Sequence, residues 1–286
     1  MKHLLKIFLA ITVAALCIEI AHARDCCKQN TDGKEKQNSS VPVKVGIVAH
    51  RGYWNCEEAG YARNSIAALK CAQDAGFWGS EFDVNMTSDE VLLVYHDDRI
   101  NGKVIDKNPY DTFKDVTIAN GEKIPTLDDY LVQAKKNTNT VLVFEFKSRS
   151  TKELEDRMVD LSLAKLKEYG LLNPKKVIFI SFSINICEKL AKDAPKFTVQ
   201  FLADSFSPDD LAARGINGVD YHHNVFSVHK NWYFQARKNR MSINAWTVNK
   251  AIDMQRMLDM GVDYITTDNP MELRELIKSC PREEMK

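Results

Sequence analysis

Glu81-Phe82-Asp83 sets two carboxylates two residues apart. In an extended strand such residues share a face, so both acids enter one cavity while Phe82 packs on the opposite side. Like charges at that spacing repel unless a cation lies between them, and hard carboxylate oxygens suit magnesium, calcium or manganese better than zinc. The plain alternative is a pair of rim carboxylates held in salt bridges. Val143-Phe144-Glu145-Phe146-Lys147 repeats the pattern. Glu145 can complete a three-carboxylate cation site, and Lys147 can meet a phosphate oxygen that the cation also touches; a buried Glu–Lys pair is the alternative. His50-Arg51-Gly52 and Tyr95-His96-Asp97 add two imidazoles that exchange protons near neutral pH, and a guanidinium fork for phosphate oxygens. Two histidines flanking a cation and an arginine are what acid–base attack on a phosphodiester requires, although either histidine alone would more often be structural. Gly52 leaves room for close backbone approach.

Such groups need elements that end at one surface. Short apolar runs read as strands over 45–49, 79–84, 140–146, 176–181, 198–202, 218–221, 242–246 and 263–266. Between them lie segments of helical period, such as Ile66, Leu69, Ala72 and Gln73, or Ile252, Gln255, Met257 and Leu258. Strands and helices alternating in this way predict an α/β fold, a (β/α)8 TIM barrel, with a doubly wound open sheet as the alternative. The unusual polar residues fall at the C-terminal ends of strands, where barrel active sites are built, and this favours closure. Residues 91–95 extend the second strand region. The stretch 98–123, with Asn101-Gly102, Asn108-Pro109 and Asn120-Gly121 turn signals, predicts a small insertion after the second strand.

At 286 residues, 44% hydrophobic and 27% charged, the composition excludes a disordered, collagen-like or polytopic membrane protein. Lys plus Arg and Asp plus Glu both total 39, so no cationic surplus exists to neutralise a nucleic acid, which is not an expected partner. Lys2 and Lys6 precede an uncharged run over 7–18, and Ala21-His22-Ala23 follows, the pattern of a secretory signal peptide over 1–23. That run is shorter than the roughly 20 residues needed to cross a bilayer. The expectation is an exported protein, periplasmic or secreted, without a transmembrane span in its mature chain. Polar residues over 24–42 predict a flexible tether, leaving the barrel at 43–280. Cysteine spacing does not reveal pairing, and Cys71 and Cys187, at apolar positions of helical segments, read as buried thiols.

His-Arg-Gly after the first strand, Glu-x-Asp in the second, His-Asp soon after and Glu-x-Lys in the third together resemble the glycerophosphodiester phosphodiesterase family. Ile124-Pro125-Thr126-Leu127, Trp246-Thr247-Val248-Asn249, Gly261-Val262-Asp263 and Thr267-Asp268-Asn269-Pro270 extend the resemblance from about Val45 to Ile277. It implies a TIM barrel that hydrolyses glycerophosphodiesters to glycerol 3-phosphate and an alcohol with one divalent cation, magnesium or calcium, with manganese also suitable. Carried over, Glu81, Asp83 and Glu145 are the metal ligands and His50 and His96 the acid–base pair. Arg51 and Lys147 hold the phosphate, and Trp246 lines the glycerol or leaving-group pocket. Which histidine is the acid, and whether water or the substrate's glycerol hydroxyl attacks first, stays open, as do the alcohol and the oligomeric state. One departure is Ala62-Arg63-Asn64-Ser65, where the family usually has Pro-Glu-Asn-Thr. Glu57 and Glu58 in the preceding loop suggest a cationic head group such as choline.

His222, His223 and His229 read as structural rather than as a second metal site. Arg237, Lys238 and Arg240 read as a solvated helix end. Ser181 and Ser183 lack a nucleophile-elbow context. Two competing functions keep the same residues: a phospholipase D-like or teichoic-acid phosphodiesterase, and a non-catalytic surface binder of phosphorylated glycerol.

Overall fold

A computed structural model of the chain describes residues 43–279 and 282–286. The signal-peptide and tether expectations over 1–42, and Cys26, Cys27 and Cys280, lie outside the described residues. The strands are β1 (Val43–Ala49), β2 (Gly79–Met86), three short strands β3 (Leu92–Val94), β4 (Arg99–Ile100) and β5 (Lys103–Val104), then β6 (Val141–Phe146), β7 (Val177–Ser181), β8 (Thr198–Phe201), β9 (Gly218–His222), β10 (Ser242–Trp246), β11 (Tyr264–Thr267) and β12 (Arg282–Glu284). The order β1-β2-β6-β7-β8-β9-β10-β11 returns to β1 with every neighbour parallel, so eight strands close into a barrel. The helices are α1 (Ile66–Asp74), α2 (Leu127–Ala134), α3 (Lys152–Glu168), α4 (Ile184–Asp193), α5 (Pro208–Ala213), α6 (Val225–Val228), α7 (Trp232–Lys238), α8 (Ala251–Met260) and α9 (Pro270–Lys278). This is the expected (β/α)8 TIM barrel, with two helices after β9.

Period-two alternation sorts each strand's side chains between two cores. On β2 and β6, Phe82, Val84, Phe144 and Phe146 face the helices, where Phe82 stacks on Tyr130 of α2 with ring centroids 4.4 Å apart. Full burial of each such ring contributes about 1.5–3 kcal/mol. Inside, Val48, Val143, Ile178, Ile180 and Leu202 form a separate apolar layer. Below it Trp78 stacks on Tyr264 at 4.1 Å. Gly46 makes this possible, because a Cβ there would lie 2.7 Å from Tyr264 and 2.9 Å from Trp78. Apolar and aromatic side chains thus plug the N-terminal end of the lumen, where Gln200 also donates to Ser242 at 3.0 Å, and the charged groups gather at the other end.

Local chemistry starts and stops the helices. Thr151 caps α3, whose first turn carries Glu153 and Glu155 and whose last carries Lys165 and Lys167, matching the helix dipole. Gly261 ends α8 in the left-handed region at φ 80°. On α8 the buried face is Ala251, Met254, Gln255, Met257 and Leu258, while Ile252, expected on it, faces solvent. Among the described cysteines, Cys187 is buried as expected and Cys71 only partly so; both are free thiols, as is Cys56.

The insertion after the second strand is a compact flap. β3 pairs antiparallel with the end of β2, Val84 opposite Val94, and β4 and β5 form a hairpin. Leu93, Ile100, Ile105, Phe113 and Ile124 give the flap its own core. The flap's Glu122 accepts the Ile66 and Ala67 N–H groups at 3.0 and 3.3 Å, so it caps α1 and ties the flap to the first loop. Beyond the expected boundary at 280, β12 adds to the outer part of β1. No described helix is long and apolar enough to cross a membrane.

Candidate active site

The strand register brings the acids together. Asp83 of β2 stands opposite Glu145 of β6, and Glu81 lies one residue pair deeper on the same face. Glu81, Asp83 and Glu145 are all buried and offer ligand atoms within 4.8 Å of one another. Lys147 joins them, its Nζ donating to Glu145 Oε1 at 2.6 Å and Asp83 Oδ1 at 3.3 Å. The Arg51 backbone N–H donates to Glu81 Oε2 at 2.7 Å, while Oε1 is buried without a partner. Burial, then Asp83 and Glu145, push the Glu81 carboxyl well above its usual range. Burial and Asp83 raise Glu145 to about 7 against the pull of Lys147. Three buried carboxylates, one with a partnerless oxygen and two, Glu81 and Glu145, raised by burial and by their acidic neighbours while Lys147 and its other partners hold Asp83 low, fit a hard divalent cation, which would answer the oxygen and relieve the repulsion.

Arg51 sits at φ 55°, a strained position for a non-glycine residue, followed by Gly52 at φ 79°. A Cβ on Gly52 would meet Ala68 Cβ at 2.6 Å, so the close approach it allows is to α1. The turn aims the Arg51 guanidinium into the site with its Nε 3.6 Å from Asp83 Oδ2. Asn64 locks the geometry from below, donating to Asp83 Oδ2 at 2.8 Å and accepting the Asp83 N–H at 3.2 Å.

Each histidine is oriented by an aspartate. His50 Nδ1 lies 2.8 Å from Asp268 Oδ1, and His96 Nδ1 lies 2.6 Å from Asp97 Oδ1, which leaves Nε2 of each ring for chemistry. Asp268 also accepts from Trp54 Nε1 at 2.9 Å and Asn249 Nδ2 at 2.7 Å. Burial works to raise its pKa, but the His50 bond and these two donors outweigh that and hold it at about 2. His96 rides on a segment stapled by buried Asn85, whose amide donates to the Tyr95 and Asp97 carbonyls at 2.6 and 3.1 Å. Burial lowers the His96 pKa, with Lys147 and Arg51 adding to the effect and Asp83 opposing it.

Two cavities meet at this cluster. The inner one, about 170 Å³, is lined by His50, Glu145, Phe182, Asp220, Trp246 and Thr266 among others. Trp246 is fixed by its Nε1 donating to the Asp220 carbonyl at 2.8 Å and by edge contact with Phe182 at 5.5 Å. The outer cavity, about 440 Å³, opens between the first loop and the flap. Arg51 and His96 line both.

All eight residues singled out from sequence thus converge. Sequence reasoning missed Asp268, Asn64 and Asp220 as members of the site. Asp268 and Asn64 stood inside quoted motifs without a role. Asp220 carried a strand-face signal, since on β9 it alternates with core residues Val219 and Tyr221. It is only 1% exposed, and its Oδ1 has no partner.

The other marked residues have structural employment. His223 Nδ1 meets Arg256 at 2.7 Å, and His229 stacks on Trp232 at 3.9 Å. Ser181 donates to the Phe146 carbonyl at 2.8 Å, and Ser183 caps α4. Arg237, expected to be solvated, instead forms a two-pronged pair with Asp263 at 2.9 and 2.8 Å, because the helix end turns back over α8's C-terminal loop. Glu57 and Glu58 are exposed, and neither is among the residues that line the inner or the outer cavity.

Comparison with known proteins gives one picture. The sequence profile of the glycerophosphoryl diester phosphodiesterase family matches residues 50–272. A glycerophosphodiester phosphodiesterase of Caldanaerobacter subterraneus subsp. tengcongensis is 28% identical, covering 82% of this chain and 99% of that protein. The crystal structure of a glycerophosphodiester phosphodiesterase from Parabacteroides distasonis superposes with a TM-score of 0.80 at 42% identity, covering 84% of this chain and 99% of that one. An Oleispira antarctica phosphodiesterase, solved with its product sn-glycerol-3-phosphate, shares the fold with a TM-score of 0.70 at 21% identity, covering 82% of this chain and 96% of its own.

Proposed function

This chain belongs to the glycerophosphoryl diester phosphodiesterase family, and from that premise we propose that its site hydrolyses glycerophosphodiesters to glycerol 3-phosphate and an alcohol, using one divalent cation and two histidines. The observation that carries the reading is the buried Glu81, Asp83 and Glu145 cluster flanked by two aspartate-oriented imidazoles. Those three carboxylates would hold the cation, which supplies Lewis-acid polarisation of the phosphoryl group. Arg51 and Lys147 bind its remaining oxygens and offset the charge that develops as the bond to the alcohol lengthens.

The two cavities suggest a division of the substrate. A glycerol limb matches the small inner cavity, whose Trp246 wall would hold its carbon face and whose Asp220 would meet its hydroxyls. The leaving alcohol then occupies the outer cavity. His96 borders both, which suits delivery of a proton to the departing alkoxide, whereas His50 reaches only the inner one and takes the proton from the attacking oxygen. Water's oxygen thereby ends on phosphorus, and its proton is balanced by the one the alcohol gains. The signal pattern over 1–23 supports export to the periplasm or the medium.

The test is release of glycerol 3-phosphate from a panel of glycerophosphodiesters by residues 24–286, with magnesium, with calcium and with chelator, and with Glu81→Ala as control. Metal-dependent release that the variant loses is expected. Release from lysolipids or polymeric phosphodiesters alone would move the assignment to those substrates, and binding without any turnover would make the protein a binder. N-terminal sequencing of protein recovered from the expressing cells should begin at Arg24; a chain retained in the cytoplasm with Met1 intact would remove the export reading.

A further inference from the structure

The outer cavity has a sign. Among the residues lining it the cations are Arg51 and Arg63, and the one carboxylate, Asp97, is committed to His96. Arg51 is answered by Asp83 and lies against the phosphate-binding cluster. Arg63 forms no ion pair among the described residues. Its guanidinium instead lies over the Trp54 ring, 4.1 Å from the centroid.

That stack is firmly mounted. Trp54 is held by Asp268, the same carboxylate that orients His50. The backbone presenting Arg63 is held on both sides, with Gly60, Tyr61 and Asn64 at φ values of 57–58° and Asn64 bonded to Asp83. A residue in that conformation persists only where its surroundings over-determine it. The fork is thus poised at the cavity mouth with its hydrogen-bonding edge uncommitted, a geometry that suits phosphate or carboxylate oxygens. It also caps the aromatic face that a quaternary ammonium group would use, and repels such a group.

Resting on the division of the substrate given above, we propose that the outer cavity is the leaving-group subsite and that Arg63 makes it selective for alcohols bearing an anionic group over alcohols bearing a quaternary ammonium. The preferred substrates are then glycerophosphodiesters whose alcohol carries a second phosphate or a carboxylate. Selectivity sits in KM, because Arg63 meets a part of the substrate that does not react.

The experiment compares two probes, a glycerophosphodiester of glycerol phosphate and glycerophosphocholine. It measures kcat/KM with the wild type, Arg63→Gln and Arg63→Glu, and affinity by calorimetry with magnesium-loaded His50→Ala protein with and without Arg63→Glu. The wild type should favour the phosphate-bearing probe by about tenfold or more at low salt, a preference that shrinks as ionic strength rises through about 0.3 M. Arg63→Gln should lower that ratio about three- to fivefold and Arg63→Glu at least tenfold, through KM. Arg63 is exposed, so both variants should keep the wild-type melting temperature. A wild-type ratio at or below one, or a ratio that Arg63→Glu leaves in place, overturns the proposal. If neither probe is cleaved, the hydrolase reading falls, and the affinity ratio in the His50→Ala background still decides the selectivity by the same criterion.

Discussion

The two ends of the barrel lumen are built from the same strands and do opposite things. At the N-terminal end Trp78 stacks on Tyr264 over Gly46, and above them Val48, Val143 and Ile178 close the bore with apolar volume. Two to five residues further along those strands the lumen holds Glu81, Asp83, Glu145, Lys147 and Arg51, where burial and then the neighbouring acids drive the Glu81 and Glu145 carboxyls upward. One end lowers the free energy of the fold; the other spends some of it on groups whose repulsion the proposed cation and anionic substrate would relieve. The lesson is that stability and reactivity are separated along the strand axis, within a distance that a few residues span.

Substitutions at the reactive end should therefore abolish turnover with little loss of stability. Removing one carboxylate, as in Glu81→Ala, Asp83→Ala or Glu145→Ala, should cut turnover by about a thousandfold and weaken metal binding in calorimetry, since ligand and charge are lost together. Unchanged metal affinity in all three would break the comparison at its strongest point. His50→Ala and His96→Ala should each lose about 10²–10⁴ in kcat with the metal still bound. Asp268→Asn should cost about a hundredfold by releasing the His50 tautomer, and a near-normal rate would mean that the pairing only packs.

At the closed end the signs reverse. Gly46→Ala drives a methyl against both stacked rings and should cost about 2 kcal/mol of unfolding free energy by denaturant titration, with kcat close to that of the wild type. A variant that loses rate but not stability would show that the floor communicates with the chemistry.

The smallest effect concerns pH. Glu145 is held at about 7 without a cation, and a cation held there would bind its ionised form, so binding would expel the proton whenever pH lies below that value. Affinity should weaken by at least about tenfold for each unit that pH falls below about 7, with the raised Glu81 carboxyl adding its own proton to the competition. A flat profile from pH 5.5 to 8 by calorimetry would mean that Glu145 is not a ligand.

Much of this is legible in the amino-acid sequence. Alternation along Glu81-Phe82-Asp83 and Phe144-Glu145-Phe146-Lys147 put the charges on one face and the rings on the other, and the strand and helix rhythm implied a barrel that ends in them. The 98–123 insertion was readable from its turns. Other features were not legible, for identifiable reasons. Ile252 fits a helical apolar stripe, but helix packing decides which edge of a broad stripe is covered. Cys71 is only partly buried, because the helical period places it beside the buried face of Ala68, Leu69 and Ala72 and not at its centre. Glu57 and Glu58 lie close in sequence to the His50-Arg51-Gly52 turn, yet it is Arg63 of the same loop that lines the outer cavity, a difference set by the path of the loop and not by the sequence spacing.

The sequence by itself determined which side chains enter the lumen, because side-chain direction in a strand follows from the two-residue period alone, and it determined the kind of chemistry, because donor hardness and proton affinity belong to residue types. Only the tertiary structure decided that Asp83 stands opposite Glu145, that Asp268 pairs with His50 across 218 residues, and that Asp220 is left with a bare oxygen at the inner cavity. Those relations depend on register between strands and on the stagger with which the sheet closes, quantities that no local pattern along a single strand encodes.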